Sequence, residues 1–67
     1  SYTADGVAAA NFLPFGTKFR IPKIFGDKIF VVEDRMHRSY NYRIDIWFPS
    51  KEEAIRFGYR FTEVEIL

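Results

Sequence analysis

The chain has 67 residues, which supports one domain because a second hydrophobic core would need more length. Hydrophobic residues make up 48% of the sequence and aromatic residues 19%, a composition that excludes an intrinsically disordered chain. Ten Lys and Arg against nine Asp and Glu give a net charge of +1, which argues against binding to nucleic-acid phosphates as the main function.

Residue types that hold metals or cross-link chains are scarce. The sequence has no cysteine and one histidine, so it excludes disulfides and thiolate metal sites and disfavours a catalytic zinc. No apolar run approaches the ~18 residues of a membrane span. We therefore expect no metal, no cofactor and no membrane span, and the sequence leaves the oligomeric state open.

Turn residues divide the first half of the chain into short strands. Asp5-Gly6 separates "SYTA" from "GVAAA" and favours a tight hairpin. Pro14 and Gly16 predict a loop, and "KFRIP" is a short strand that Pro22 ends. Gly26-Asp27 forms the next turn.

Two apolar runs in the middle of the chain predict the strongest strands. "KIFVVED" is rich in β-branched and aromatic residues, and its apolar character on both faces predicts a strand covered on both sides. "RIDIWFP" has the same character and stops at Pro49. Asp34 and Asp45 lie in these runs, and we expect them on neighbouring strands with their carboxyl groups facing one shallow groove.

After Pro49 the pattern changes to that of a helix. Ser50 and Glu53 form a capping box, and Gly58 suits the helix exit. The apolar stripe predicts that the helix closes one side of the fold and buries Ala54, Ile55 and Phe57. "YRFTEVEIL" then predicts a last strand, with Thr62, Val64 and Ile66 on one face.

Six short strands and one helix favour a small closed β-barrel, because closure removes exposed sheet edges. An open half-barrel with a helix on one face is the alternative.

Four segments carry a resemblance to a known family: "LPFGTKFRIP", "FVVEDRM", "RIDIWFPSKEEAIRFG" and "VEIL". Their most specific elements are the turn at Pro14-Phe15-Gly16-Thr17, the strand-ending Asp34, Arg43-Ile44-Asp45, and a Glu-Ala helix that ends at Gly58. In these features the chain resembles the three-aspartate domain, a family of double-psi β-barrels related to the catalytic barrel of membrane-bound lytic murein transglycosylase A and to stationary-phase survival wall enzymes. The resemblance implies that residues 1–67 form a single mainly β domain, a six-stranded double-psi β-barrel with one short helix.

The resemblance also implies an activity. Such enzymes are carbon–oxygen lyases that cleave the β-1,4 bond between N-acetylmuramic acid and N-acetylglucosamine in peptidoglycan, giving a 1,6-anhydro end. One carboxyl group protonates the leaving oxygen and then acts as base on the sugar's own 6-hydroxyl, so it needs a raised pKa and no second carboxylate as nucleophile. The partner would be a peptidoglycan glycan strand, and the location would be extracytoplasmic, in the cell wall or secreted.

Family matching places the catalytic acid at Asp45, with Asp34 as the second member that orients it. Isoleucines flank Asp45 along the chain and Trp47 lies two residues on, an apolar setting that can hold a carboxyl protonated. The alternative is that Asp45 is a structural carboxylate paired with Arg43 or Arg35. The residues expected to bind the sugar substrate are Trp47, Tyr40, Tyr42, Arg43 and Asn11.

The sequence departs from the family at three points. Asn11 stands where the family's first aspartate commonly precedes the turn, "DRMHRS" replaces a glycine-rich loop, and Asp5-Gly6 replaces a longer stretch, as in a trimmed or designed barrel. These departures keep open a catalytically silent barrel that binds glycan or serves as an engineered scaffold. The arginines and tyrosines of 35–43 also match a nucleic-acid surface, but the near-zero net charge favours sugar binding over nucleic acid.

Overall fold

The computed structural model describes residues 4–67. The described chain forms five strands and two short helices, so the protein is mainly β. The strands are β1 (Val7–Ala10), β2 (Lys18–Arg20), β3 (Ile29–Asp34), β4 (Ile44–Ile46) and β5 (Glu65–Ile66), and the helices are α1 (Pro22–Phe25) and α2 (Lys51–Phe57).

All five strands belong to one curled sheet in the order β4-β1-β3-β2-β5. β1 runs parallel to β3, and the other pairs are antiparallel. Within residues 4–67 the sheet is an open half-barrel, which was the alternative architecture, and the six-stranded double-psi barrel is not confirmed. The described sheet stays open because its edge strand β5 is only Glu65–Ile66, pairs with β2 and not with β4, and follows an irregular segment.

The core lies on the concave face of the sheet. Phe19 and Phe30 are fully buried and stack with their ring centroids 5.5 Å apart, and Phe25 of α1 meets Phe30 edge-on at 5.2 Å. Ile29 is 48% exposed while Phe30 is buried, so β3 is covered on one face. The prediction of a strand covered on both sides is therefore wrong, because the described residues leave Ile29 exposed on the outer face of the sheet.

Strand β2 ends at Arg20, before Pro22, as predicted, but Pro22 also begins helix α1, which was not predicted. It occupies the first turn, where a missing N–H costs no helical hydrogen bond. The backbone N–H of Gly26 donates to the carbonyl of Pro22 at 3.1 Å and closes the helix after one turn. The local pattern could not separate this single turn from a loop.

Helix α2 begins as predicted, but its apolar stripe is not buried. Ser50 Oγ accepts a hydrogen bond from the Glu53 N–H at 3.1 Å, which is the predicted cap. Ile55 is 68% exposed and Ala54 is also exposed, so the expected burial is wrong for both. Phe57 is half-buried against Phe25 and Phe48, at centroid distances of 5.6 and 5.1 Å. The described sheet is open, so the helix does not cover a closed barrel. Its apolar stripe therefore stays exposed.

The Asp5-Gly6 turn is present, with Gly6 at a φ of 86° and the Val7 N–H donating to the Ala4 carbonyl at 3.0 Å. Lys28 Nζ donates to Asp5 Oδ1 at 2.5 Å, an ion pair that ties the turn to the start of β3. The strand predicted before this turn falls largely on residues 1–3 and lies outside the described residues. Neither described helix is long and apolar enough to cross a membrane.

Candidate functional site

Asp34 and Asp45 lie opposite the same residue of the sheet. Ala9 of β1 pairs with Asp34 on one side and with Asp45 on the other. Residues directly opposite each other point to the same face, so both carboxylates share the convex face with Ala9. With Trp47 and part of β1 they line a shallow hollow of about 110 Å³. The shared hollow was predicted, but the two strands are not neighbours, because β1 runs between them.

A bulge in β3 sets this arrangement. Val32 pairs with Ala8 and Asp34 with Ala9, so Glu33 is an extra residue opposite β1. With a regular register Glu33 would stand opposite Ala9. The bulge therefore selects Asp34 as the carboxylate that faces Asp45, a use of irregular pairing that is common beside functional sites.

The Asp45 side chain is exposed and makes no hydrogen bond or ion pair to another residue of 4–67. The predicted pairing with Arg43 or Arg35 is thus not made. Ile44 and Ile46 are half-buried against the core, because successive side chains of a strand point to opposite faces. The isoleucines therefore do not shield Asp45, and Trp47 is the apolar neighbour that shares its hollow. Asp34 Oδ1 accepts a hydrogen bond from the Arg35 N–H at 2.8 Å.

A larger groove of about 1010 Å³ opens on the concave side of the half-barrel. Tyr40, Tyr42, Arg43 and Asp45, four of the predicted site residues, line it together with apolar side chains. Asp45 contributes to both the groove and the hollow. Asp45 therefore lies where the groove and the hollow meet.

Arg43 is clamped between two tyrosine rings. Its guanidinium carbon lies 4.7 Å from the ring centroid of Tyr40 and 5.1 Å from that of Tyr59, and its Nη1 donates to the Tyr59 hydroxyl at 3.4 Å. Sequence reasoning did not select Tyr59, because it lies 16 residues further along the chain in a predicted strand. The clamp joins the loop before β4 to the segment after α2.

Asn11 holds the loop that carries these residues. Its side-chain amide donates to the carbonyls of His37 at 2.8 Å and Tyr40 at 3.0 Å, and its Oδ1 accepts from the Met36 N–H at 2.8 Å. Both amide hydrogens are thereby used within the protein. The structure thus places Asn11 behind the groove wall, where it fixes the loop backbone.

Arg35 is also engaged inside the protein. Its Nη1 donates to the carbonyls of Ala10 at 2.6 Å and Leu13 at 2.5 Å, and its guanidinium lies 3.8 Å from the Phe15 ring centroid. His37 Nδ1 and Ser39 Oγ are 2.8 Å apart within the same loop. The basic residues of 35–43 therefore mostly contact other parts of the protein. That the domain does not bind nucleic acid remains a prediction.

Metal ligands do not cluster in the described part of the chain. Among residues 4–67 no group of three or more His, Asp or Glu side chains could hold a metal ion. The groups that could do chemistry at this site are thus the two carboxylates, the clamped guanidinium and the aromatic rings.

No known protein family, curated protein or solved structure matches this chain. The resemblance to the three-aspartate domain rests on the motif residues alone and stays a prediction.

Proposed function

We propose that this domain binds peptidoglycan glycan strands and cleaves the β-1,4 bond to a 1,6-anhydro product, with Asp45 as general acid and base. The observation that carries the proposal is that Asp34 and Asp45 are both paired with Ala9 and share one hollow with Trp47. A pair of carboxylates on one face beside an aromatic ring suits a sugar whose glycosidic oxygen must receive a proton.

In the proposed reaction Asp45 donates its proton to the glycosidic oxygen as the bond to the anomeric carbon breaks. The same carboxylate then accepts the proton of the sugar's 6-hydroxyl while that oxygen attacks the anomeric carbon. A sugar seated across the hollow would cover the exposed Asp45 and remove water from it. Asp34, on the far side of Ala9, would face the same sugar.

The place of action follows from the substrate. Peptidoglycan lies outside the cytoplasmic membrane, so the proposal puts this domain in an extracytoplasmic compartment.

A glycan-binding module without catalysis is the second candidate. The observation that favours it is the exposure of Asp45, because a proton donor is usually held in an apolar setting before substrate arrives. Tyr42 is 88% exposed and lines the groove, so it offers a free ring face for a pyranose.

Digestion of purified peptidoglycan with mass analysis of the products separates these candidates. The proposal predicts muropeptides with 1,6-anhydro ends. Ordinary reducing ends, heavier by one water, would instead indicate hydrolysis by two carboxylates. Binding to peptidoglycan without any released product would support the module.

A further inference from the structure

Arg43 contacts two aromatic rings but forms no ion pair within residues 4–67. The two tyrosine rings cover its guanidinium at 4.7 and 5.1 Å, and its hydrogen bond within residues 4–67 goes to the neutral Tyr59 hydroxyl. The ion pairs of the described chain are Arg20 with Glu65, Lys23 with Glu63 and Lys28 with Asp5, and none includes Arg43.

The hydrogen bond of Arg43 determines which of its donors remain for a ligand. Its Nη1 donates to the Tyr59 hydroxyl, whereas its Nε and Nη2 have no hydrogen-bond partner within residues 4–67, and these two donors form a fork. A planar carboxylate fits such a fork with two parallel hydrogen bonds. The tyrosines also hold the side chain in place, which lowers the entropy lost when a ligand binds.

We propose that Arg43, clamped by Tyr40 and Tyr59, is a carboxylate-binding site and that its ligand is a carboxylate-bearing sugar. The choice of sugar rests on the proposed function: of the two sugars in peptidoglycan, N-acetylmuramic acid carries a lactyl carboxyl group, which is a free carboxylate where the stem peptide has been removed, and N-acetylglucosamine carries none. The site would therefore recognise peptide-free glycan strands.

The location of Arg43 lets this site determine which sugar of the glycan strand lies beside Asp45. Arg43 precedes β4, lies two residues before Asp45, and lines the same groove as Asp45. A sugar with its carboxylate on Arg43 is placed beside Asp45. The carboxylate-bearing sugar, which forms the anhydro ring in the proposed reaction, is then the one presented to the acid.

The other arginines near the groove do not have this geometry. Arg60 lies over Phe57 at 4.4 Å and its Nε donates to the Phe57 carbonyl at 3.1 Å, so it lacks the Nε–Nη2 edge that Arg43 keeps. Arg38 has no ring contact, ion pair or hydrogen bond to another residue of 4–67 and serves as a control with the same charge.

The test is an NMR titration of the isotope-labelled protein with N-acetylmuramic acid and, separately, with N-acetylglucosamine. Neither monosaccharide contains a bond to cleave, so the result is independent of whether the domain is an enzyme. We expect N-acetylmuramic acid to bind at least about tenfold tighter, as one charge-assisted hydrogen bond would give. Its shifts should centre on Arg43 and Tyr59.

Three variants then identify the contact. Arg43→Lys keeps the charge but loses the fork, and Tyr59→Leu removes one side of the clamp, so each should erase most of the preference for the acidic sugar. Arg38→Lys should retain it. Equal binding of both sugars by the wild type, or an unchanged preference in Arg43→Lys, would overturn the proposal. Phosphate that competes as well as acetate would show a general anion site and would also overturn it.

Discussion

Asp34 and Asp45 face the same side of the sheet across a single intervening strand. Each is paired with Ala9, so their Cα atoms are separated by two strand spacings, about 10 Å. The small side chain of Ala9 forms the floor between them, and the hollow above it is about 110 Å³. Ala9 therefore controls how closely a ligand can approach both carboxylates.

Filling this hollow should weaken glycan binding while the fold is kept. Ala9 is half-buried on the convex face, so the larger side chain of Ala9→Leu projects into the hollow and away from the core. A misfit of a few methylene groups costs about 1–3 kcal/mol, so affinity for peptidoglycan fragments should fall about tenfold or more. Calorimetric titration measures the change. Val31→Leu adds bulk at a half-buried position of β3 outside the hollow and should bind as the wild type does. Unchanged affinity in Ala9→Leu would exclude the hollow from the binding surface.

The cap of helix α2 should contribute measurably to stability. Ser50 Oγ accepts from the Glu53 N–H at 3.1 Å and donates to Glu53 Oε2 at 3.2 Å. Ser50→Ala leaves that N–H without its partner and should lower the free energy of unfolding by about 1 kcal/mol. Urea denaturation measures the difference, with Lys51→Ala as the control that shortens an exposed neighbouring side chain and keeps the cap. Equal midpoints for Ser50→Ala and the wild type would show that the cap is not made in solution.

Arg35 should matter for folding and Arg38 should not. Arg35 satisfies the carbonyls of Ala10 and Leu13 and stacks on Phe15, so Arg35→Ala should cost about 1–2 kcal/mol of unfolding free energy. Arg38→Ala should stay within about 0.5 kcal/mol of the wild type, as is usual for surface substitutions. Both are measured by urea denaturation. Similar losses in the two variants would mean that the Arg35 contacts contribute nothing specific.

The parts of the fold set by local sequence were predictable. The Ser50 cap, the turn at Asp5-Gly6 and the β-branched run of β3 follow from residues adjacent in the chain. Closure of the sheet depends on pairing between distant segments, and a strand-like pattern at "YRFTEVEIL" cannot show that only Glu65–Ile66 finds a partner. Helix α1 was not predicted because a proline suits both the end of a strand and the first turn of a helix, and Pro22 has both roles.

The sequence indicated which side chains to expect at one site but not how the sheet arranges them. The apolar runs and the family resemblance selected Asp34 and Asp45, but the strand between them and the bulge at Glu33 emerge only from the sheet register. The expected shielding of Asp45 by its isoleucine neighbours ignored the alternation of side chains along a strand. For Asn11, the sequence carries no signal that its amide is used by the backbone of residues 36–40.

The central claim is that Asp45 transfers the proton, and Asp45→Asn tests it most directly. The substitution keeps the size of the side chain and removes its transferable proton. General acid–base catalysis contributes ~10²–10⁴-fold, so release of anhydro-muropeptides from peptidoglycan should fall by that factor in a variant that remains folded. Asp27→Asn changes an exposed aspartate in a turn outside both concave surfaces and should retain wild-type release. Equal release by the wild type and Asp45→Asn would contradict the claim.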